Sequence, residues 1–372
     1  MTVPLPNLLD PPAHGPLLSA LVTQLRARIW IGSGELASLG WLDSSGAFAA
    51  GAGCLFACDI GGTKVHSAVA DMNGAILGEA RADTPTEGGG AVLDLVAAHF
   101  EHLTADRGAV VRAAGIGLPG AVHPTTGKLE RAPNLAGLAG RDMRAVFSDR
   151  LGLPVAVEND VNMAALGEAW LGHGASLRDT SGGLAFIALG TGIGMGLAWG
   201  DRLLRGAHGA AGEIAALPIG ADPRDPRTHH CGALESLVSG TALLADYRSL
   251  GGSNPGQSLR EISRNAGQDM AYGQVMRRLS ERTAQAVLAV DAILNPAIVV
   301  FGGGIGSQPS LLAGILDNLA SIMPMDMPVP DCRHSILGNR AGVLGGIRAA
   351  RLRYADSLIG DHQASEIAQA LR

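Results

Sequence analysis

Leu55-Phe56-Ala57-Cys58-Asp59-Ile60-Gly61-Gly62-Thr63-Lys64-Val65-His66-Ser67-Ala68-Val69-Ala70 reads as two short apolar runs joined by a carboxylate, two glycines, a threonine and a lysine. Runs of this length around a Gly-Gly turn predict a β-hairpin, with strands over 55–60 and 65–70; a turn at 71–74 then leads to a third strand over 75–81. Lacking Cβ atoms, Gly61 and Gly62 let backbone N–H groups approach phosphate oxygens, and Thr63 adds a hydroxyl donor. Asp59 is placed to organise Mg²⁺ through water, since magnesium keeps several waters and takes few carboxylates at phosphate sites, and Lys64 to neutralise charge. Taken alone, the segment reads better as a plain hairpin.

It does not stand alone. Downstream, the pattern predicts a helix over 90–106, a buried strand over 113–117, a helix over 142–151, a strand over 155–158 and a helix from 162 to 170. The opening device then repeats: a strand over 184–189, the turn Gly190-Thr191-Gly192-Ile193-Gly194, and a return strand over 195–199. Helices over 233–250 and 270–294 lead to a strand over 297–301 and a third glycine turn, in which Gly303 and Gly304 suit a nucleotide base or ribose platform. A β-rich part followed by a larger α/β part predicts an α/β fold with ligands at strand ends. Neither the Rossmann nor the Walker glycine spacing is met, but three turns in this order can frame one nucleotide.

Val157-Glu158-Asn159-Asp160-Val161-Asn162 ends a strand with a carboxylate among amides. Asp160 is placed to accept a proton from an attacking hydroxyl, with Asn159 orienting a sugar. An Asn-Asp helix cap describes the same residues, and the two roles are compatible.

Composition narrows the alternatives. The chain of 372 residues is 47% hydrophobic and 17% charged, which is globular and long enough for two domains. Its net charge of −6 supplies no broad basic field for nucleic acid. Cys54, Cys58, Cys231 and Cys332 show no disulfide spacing, and the first residues lack a basic region leading into a small-residue cleavage site, so the reading is cytoplasmic. The apolar stretch 183–199 is broken by Gly and Thr, so no membrane role is expected.

Segments 59–64, Gly115-Ile116-Gly117-Leu118-Pro119-Gly120, Ala132-Pro133-Asn134-Leu135, Glu158-Asn159-Asp160, 189–194 and Ala211-Gly212-Glu213-Ile214 fall in the order found in the ROK family of repressors, open reading frames and kinases, and the resemblance covers about residues 54–350. It implies a two-lobed, actin-like or hexokinase-type ATPase fold with ribonuclease H-like lobes. The expected division is an N-terminal arm over 1–53, a small lobe over 54–160 and a large lobe over 161–372, whose C-terminal helix packs back on the small lobe. The implied activity is ATP- and Mg²⁺-dependent phosphoryl transfer to a hexose or aminohexose, in a homodimer. Asp160 matches the family's base; Asn159, Glu213 and Glu235 match its sugar ligands, and Asn134 lies in a loop that touches the sugar.

Two departures stand out. Where the family reads Gly-Glu-Ile-Gly-His, this chain has Gly212-Glu213-Ile214-Ala215-Ala216, and His229-His230-Cys231-Gly232-Ala233-Leu234-Glu235 keeps one cysteine where the family has three. A tetrahedral zinc site needs four ligands, so the structural zinc is expected to be lost, although His208 with His229, His230 and Cys231 leaves a residual metal reading. Ala216 also leaves room for a C2 substituent such as an acetamido group. The first fifty residues resemble a shortened winged helix-turn-helix, ending in Glu35-Leu36-Ala37-Ser38-Leu39-Gly40-Trp41-Leu42. They hold only Arg26 and Arg28 against Asp10, Glu35 and Asp43, which favours a vestigial arm over a reader of DNA. The alternatives to a kinase are a sugar-responsive transcriptional regulator and a catalytically silent sugar sensor.

Overall fold

The hairpin expected from the Asp59 segment is present in the computed structural model, which describes residues 52–105, 110–130, 135, 137–177, 182–200, 202–264 and 269–370. Strands β1 (Cys54–Ile60) and β2 (Lys64–Asp71) pair antiparallel with Ile60 opposite Val65, and β3 (Ile76–Asp83) extends the meander from β2. Helix α1 (Gly89–Thr104) returns the chain to β4 (Val111–Leu118), which runs parallel to β1 and sets Gly117 beside Asp59. A small ribbon, β5 (Ala121–Val122) with β6 (Leu129–Glu130), precedes α2 (Met143–Leu151). Asp142 starts that helix by accepting from the Arg144 N–H, and Gly152 ends it in the left-handed conformation. Strand β7 (Val155–Asn159) is parallel to β4 and runs straight into α3 (Asp160–Leu171).

These strands form a sheet in the order β3-β2-β1-β4-β7. Central β1 is almost wholly buried, whereas edge strand β3 exposes Leu77, Arg81 and Asp83, odd-numbered positions that share one face, as a strand covered on the other face should. Phe56 of β1 meets Phe100 of α1 edge to face, with centroids 5.3 Å apart, in a core that also holds Val96, Ile116 and Phe147.

The second glycine device builds the same topology again. Strands β8 (Gly183–Leu189), β9 (Ile193–Trp199) and β10 (Arg202–Leu203) form an antiparallel meander, and β11 (Ile298–Gly302) and β12 (Cys332–His334) add in parallel, giving the order β10-β9-β8-β11-β12. The helix expected over 233–250 is two helices, α4 (Glu235–Val238) and α5 (Gly240–Ser249). The chain turns extended at Ser239, whose hydroxyl caps α5 by accepting from Ala242 N–H. Helices α6 (Leu259–Arg264) and α7 (Met270–Leu294) follow, and the last glycine turn is a strand end running into the short α8 (Gly303–Gly306). Helix α9 (Pro309–Ile322) packs on α7, and α10 (Ala341–Ala370) closes the described chain.

The chain packs as two compact units, the first comprising the described residues up to Met163 and from Val343 onward, the second Ala164–Gly342. Both divisions fall inside helices, α3 and α10. In the first unit α10 lies on the sheet: Gly346 touches Gly115 backbone to backbone, and buried Arg351 donates to the Met72 carbonyl at 3.1 Å. In the second unit Glu168 of α3 is fully buried, accepting from the Ser335 hydroxyl, the Leu337 N–H and the His173 N–H. Glu168→Leu would strand three donors, so a loss of about 2–4 kcal/mol is expected, to be read as a lower denaturation midpoint with an unchanged slope. Among the described residues no helix is long and apolar enough to cross a membrane. The N-terminal segment compared with a winged helix lies outside the described residues, apart from Ala52 and Gly53 at its edge.

Candidate functional site

In the first unit the chemistry gathers at the carboxyl ends of parallel strands β1, β4 and β7, where α/β sheets commonly place ligands. A Cβ built on Gly117 would lie 3.2 Å from Asp59 Oδ1 and 3.5 Å from the Cα of Asp160, so one glycine in the middle strand lets the two acidic residues approach. Asp59 Oδ1 is buried and has no hydrogen-bond partner among the described residues. Burial, and then the Asp160 carboxylate, push Asp59 up to about 8. An orphaned buried acceptor beside a second carboxylate costs about 1–3 kcal/mol, and a divalent cation is the partner that would relieve both the orphan and the repulsion. The residues present therefore fit a magnesium ion held through few carboxylates and several waters.

Asn159 makes the cap. Its Oδ1 accepts from the N–H groups of Val161 and Asn162, at 2.9 and 3.1 Å, and its Nδ2 donates to the Gly120 carbonyl at 3.0 Å. One amide proton is left over for another ligand. Asp160 Oδ1 accepts from Val161 N–H at 2.9 Å. Behind this corner sit Glu158 and Asn162, which flank the Asn159-Asp160 pair in sequence. Buried Glu158 accepts from Asn159 N–H at 3.1 Å and from Asn162 Nδ2 at 3.0 Å, so it braces both ends of the strand-to-helix junction. A carboxylate at the end of an otherwise apolar strand was the signal that could have found it.

At the first glycine turn, Gly61 N–H closes the hairpin on the Lys64 carbonyl at 2.8 Å, and Thr84 ties the turn down through Gly61 O and Thr63 O. Gly61 is thus spent internally, while Gly62, Thr63 and Lys64 are exposed.

The second unit collects the other expected residues. Gly190 N–H bonds the Gly192 carbonyl at 2.9 Å, and a Cβ on Gly190 would lie 3.8 Å from Gly304 N, so the second and third glycine turns are neighbours. Gly303 adopts φ 81° against the Leu189 carbonyl, where a Cβ would come within 2.4 Å, so only glycine fits. Thr191 is exposed. Glu235, at the start of α4, accepts from Ile193 N–H at 2.9 Å, and its Oε2 lies 2.3 Å from where a Gly192 Cβ would stand. Burial raises the Glu235 pKa, the Ile193 bond opposes that, and nearby Glu213 adds to the rise. Glu213 itself is exposed, next to Ile214 and the exposed Ala216. Asn134 lies outside the described residues.

At the region compared with a zinc site, the Cys231 thiol contacts its neighbour's carbonyl, Gly232 O, at 3.6 Å, and burial raises its pKa. Among the described residues no three or more His, Cys, Asp or Glu side chains are grouped to hold a metal, and the residues here do not fit a tetrahedral zinc.

A glucokinase from Streptomyces coelicolor is 32% identical over 321 residues, covering 80% of this chain and 98% of that protein. A putative xylose repressor from Caldicellulosiruptor is 30% identical over 239 residues, but the chain spans only 53% of its length. Among solved structures, a ROK family glucokinase from Streptomyces griseus in complex with glucose and AMPPNP superposes with a TM-score of 0.68 at 27% identity, covering 81% of this chain and all of that one. The fold is accordingly of the actin-like, hexokinase type, and since the ROK family description matches residues 55–352, taking in both sheets and every described site residue, the chain belongs to the ROK family.

Proposed function

We propose that the protein is an ATP-dependent sugar kinase that transfers the γ-phosphoryl group to a hexose or N-acetylhexosamine hydroxyl. The observation that carries this reading is the pairing of Asp160 with the orphaned Asp59 carboxylate at the ends of β1 and β7. Asp160 takes the proton of the attacking hydroxyl as it bonds to phosphorus, and ADP leaves with the electrons of the broken bond. Asn159 offers its remaining amide proton to the sugar, and Glu213 and Glu235 accept from sugar hydroxyls. In the first unit Gly62 and Thr63 present donors to phosphate, with Lys64 adding positive charge; in the second the turn at Gly190, Thr191 and Gly192 presents donors, with Gly303 and Gly304 beneath the nucleoside. Asp59 would hold Mg²⁺ through water, and the ion would supply charge neutralisation on the phosphates. No zinc takes part.

The exposed, small Ala216 favours a substrate with a C2 substituent. The test is Mg²⁺- and ATP-dependent turnover across glucose, mannose, fructose, N-acetylglucosamine and N-acetylmannosamine, where turnover of at least one sugar is expected. Sugar binding with no turnover on any would instead support a regulator, the reading favoured by the likeness to a repressor.

A further inference from the structure

Residues 235–240 grip the second glycine turn from both sides. On one shoulder Glu235 Oε2 accepts from Ile193 N–H at 2.9 Å; on the other, Gly240 N–H donates to the carbonyls of Gly190 and Thr191, at 3.0 and 3.3 Å. The fit is tight at both points. A Cβ on Gly192 would stand 2.3 Å from the Glu235 carboxylate, and one on Gly240 would stand 3.1 Å from Gly190 O. The break at Ser239 is what allows this, because a helix continuing through 239 and 240 would spend the Gly240 N–H within itself.

We propose that Glu235 is a positioning residue for nucleotide as well as a sugar ligand: through Ile193 its carboxylate holds the second glycine turn in its phosphate-accepting shape, coupling sugar and nucleotide occupancy within one unit. This rests on the sugar-kinase reading for the identity of the two ligands. The physical basis is a hydrogen bond from the Ile193 N–H to a side-chain oxygen of Glu235, which pins one shoulder of a turn three of whose five residues are glycine. A sugar hydroxyl donating to Glu235 favours the same side-chain orientation that the turn requires. By reciprocity, nucleotide on the turn then favours sugar.

The experiment measures binding of AMPPNP with Mg²⁺ by calorimetry, without sugar and then with the best sugar of the panel, for wild type, Glu235→Ala and Glu235→Gln. Hydrogen exchange over residues 189–194 is followed in parallel. In Glu235→Ala, AMPPNP affinity without sugar should fall at least about fivefold and exchange at Ile193 should quicken. Glu235→Gln, whose amide oxygen still accepts from Ile193, should keep AMPPNP affinity within about twofold of wild type and retain slow exchange. Unchanged AMPPNP affinity in Glu235→Ala would make Glu235 a sugar ligand only, and equal loss in both variants would assign the effect to charge; either result overturns the proposal. If no sugar binds while the AMPPNP pattern holds, the sugar assignment fails and the positioning role stands. Absence of AMPPNP binding in wild type would overturn both.

Discussion

Asp160→Asn should lower kcat by roughly 10²–10⁴-fold while sugar affinity stays within a few-fold of wild type. The asparagine keeps the size of the side chain and an oxygen that can still accept from Val161 N–H, so the cap bond survives. What it loses is the capacity to take a proton. A base removed from a transition state lowers kcat and kcat/KM together, whereas a lost ground-state contact raises KM alone. Asp160→Ala alongside it removes the cap bond as well, and it should show the same kinetic defect with a further loss of stability. Steady-state kinetics on the sugar that gives turnover, with calorimetry for sugar binding, decide the matter. Retained kcat in both variants would remove Asp160 from the chemistry and leave it a helix-start residue.

Gly115→Ala should destabilise the protein by about 2–4 kcal/mol, lowering the melting temperature by roughly 5–15 °C. A Cβ at this buried position would come within 2.0 Å of the Gly346 carbonyl oxygen, a backbone atom that cannot rotate away. Gly346 is confined in turn, since its own Cβ would meet Ala57 Cβ at 2.9 Å and Gly115 O at 3.1 Å. Helix α10 would have to lift from β1 and β4, exposing a close-packed seam. The contact is two residues from Gly117, so the spacing between Asp59 and Asp160 should suffer too. Gly90→Ala is the control. That glycine lies in α1 with nothing within 4 Å of its would-be Cβ, so the change should stabilise by about 0.5–1 kcal/mol. A melting temperature for Gly115→Ala within 2 °C of wild type, on the scale of that control, would show that the seam yields easily.

The hairpins were legible from sequence because what makes them is local. Apolar runs of six or seven residues, a Gly-Gly or Gly-Thr-Gly turn and a return strand specify themselves within a short window, and both appear where expected. The same holds for α7, bounded by Asp269 as its cap and a left-handed Asn295, whose expected span matches the observed Met270–Leu294. The helix over 233–250 was read as one because nothing in its periodicity marks a stop at Ser239. The break is set by Gly240 docking on the turn at Gly190, which lies far off in sequence.

The site divides along the same line. Residue types and order alone offered Asp59, Asp160 and the three glycine turns, since each motif lies within a few consecutive residues whose dihedral and donor requirements are intrinsic, whereas Glu235 entered only through the family resemblance. Only the tertiary structure decided that Asp59 and Asp160 meet beside Gly117, that Gly61 spends its N–H on the hairpin, that Glu235 grips Ile193, and that Gly115 must be bare to admit Gly346. Those facts depend on which strands become parallel neighbours and where a helix lands after a long excursion, and close packing fixes them through atoms that are remote in the chain.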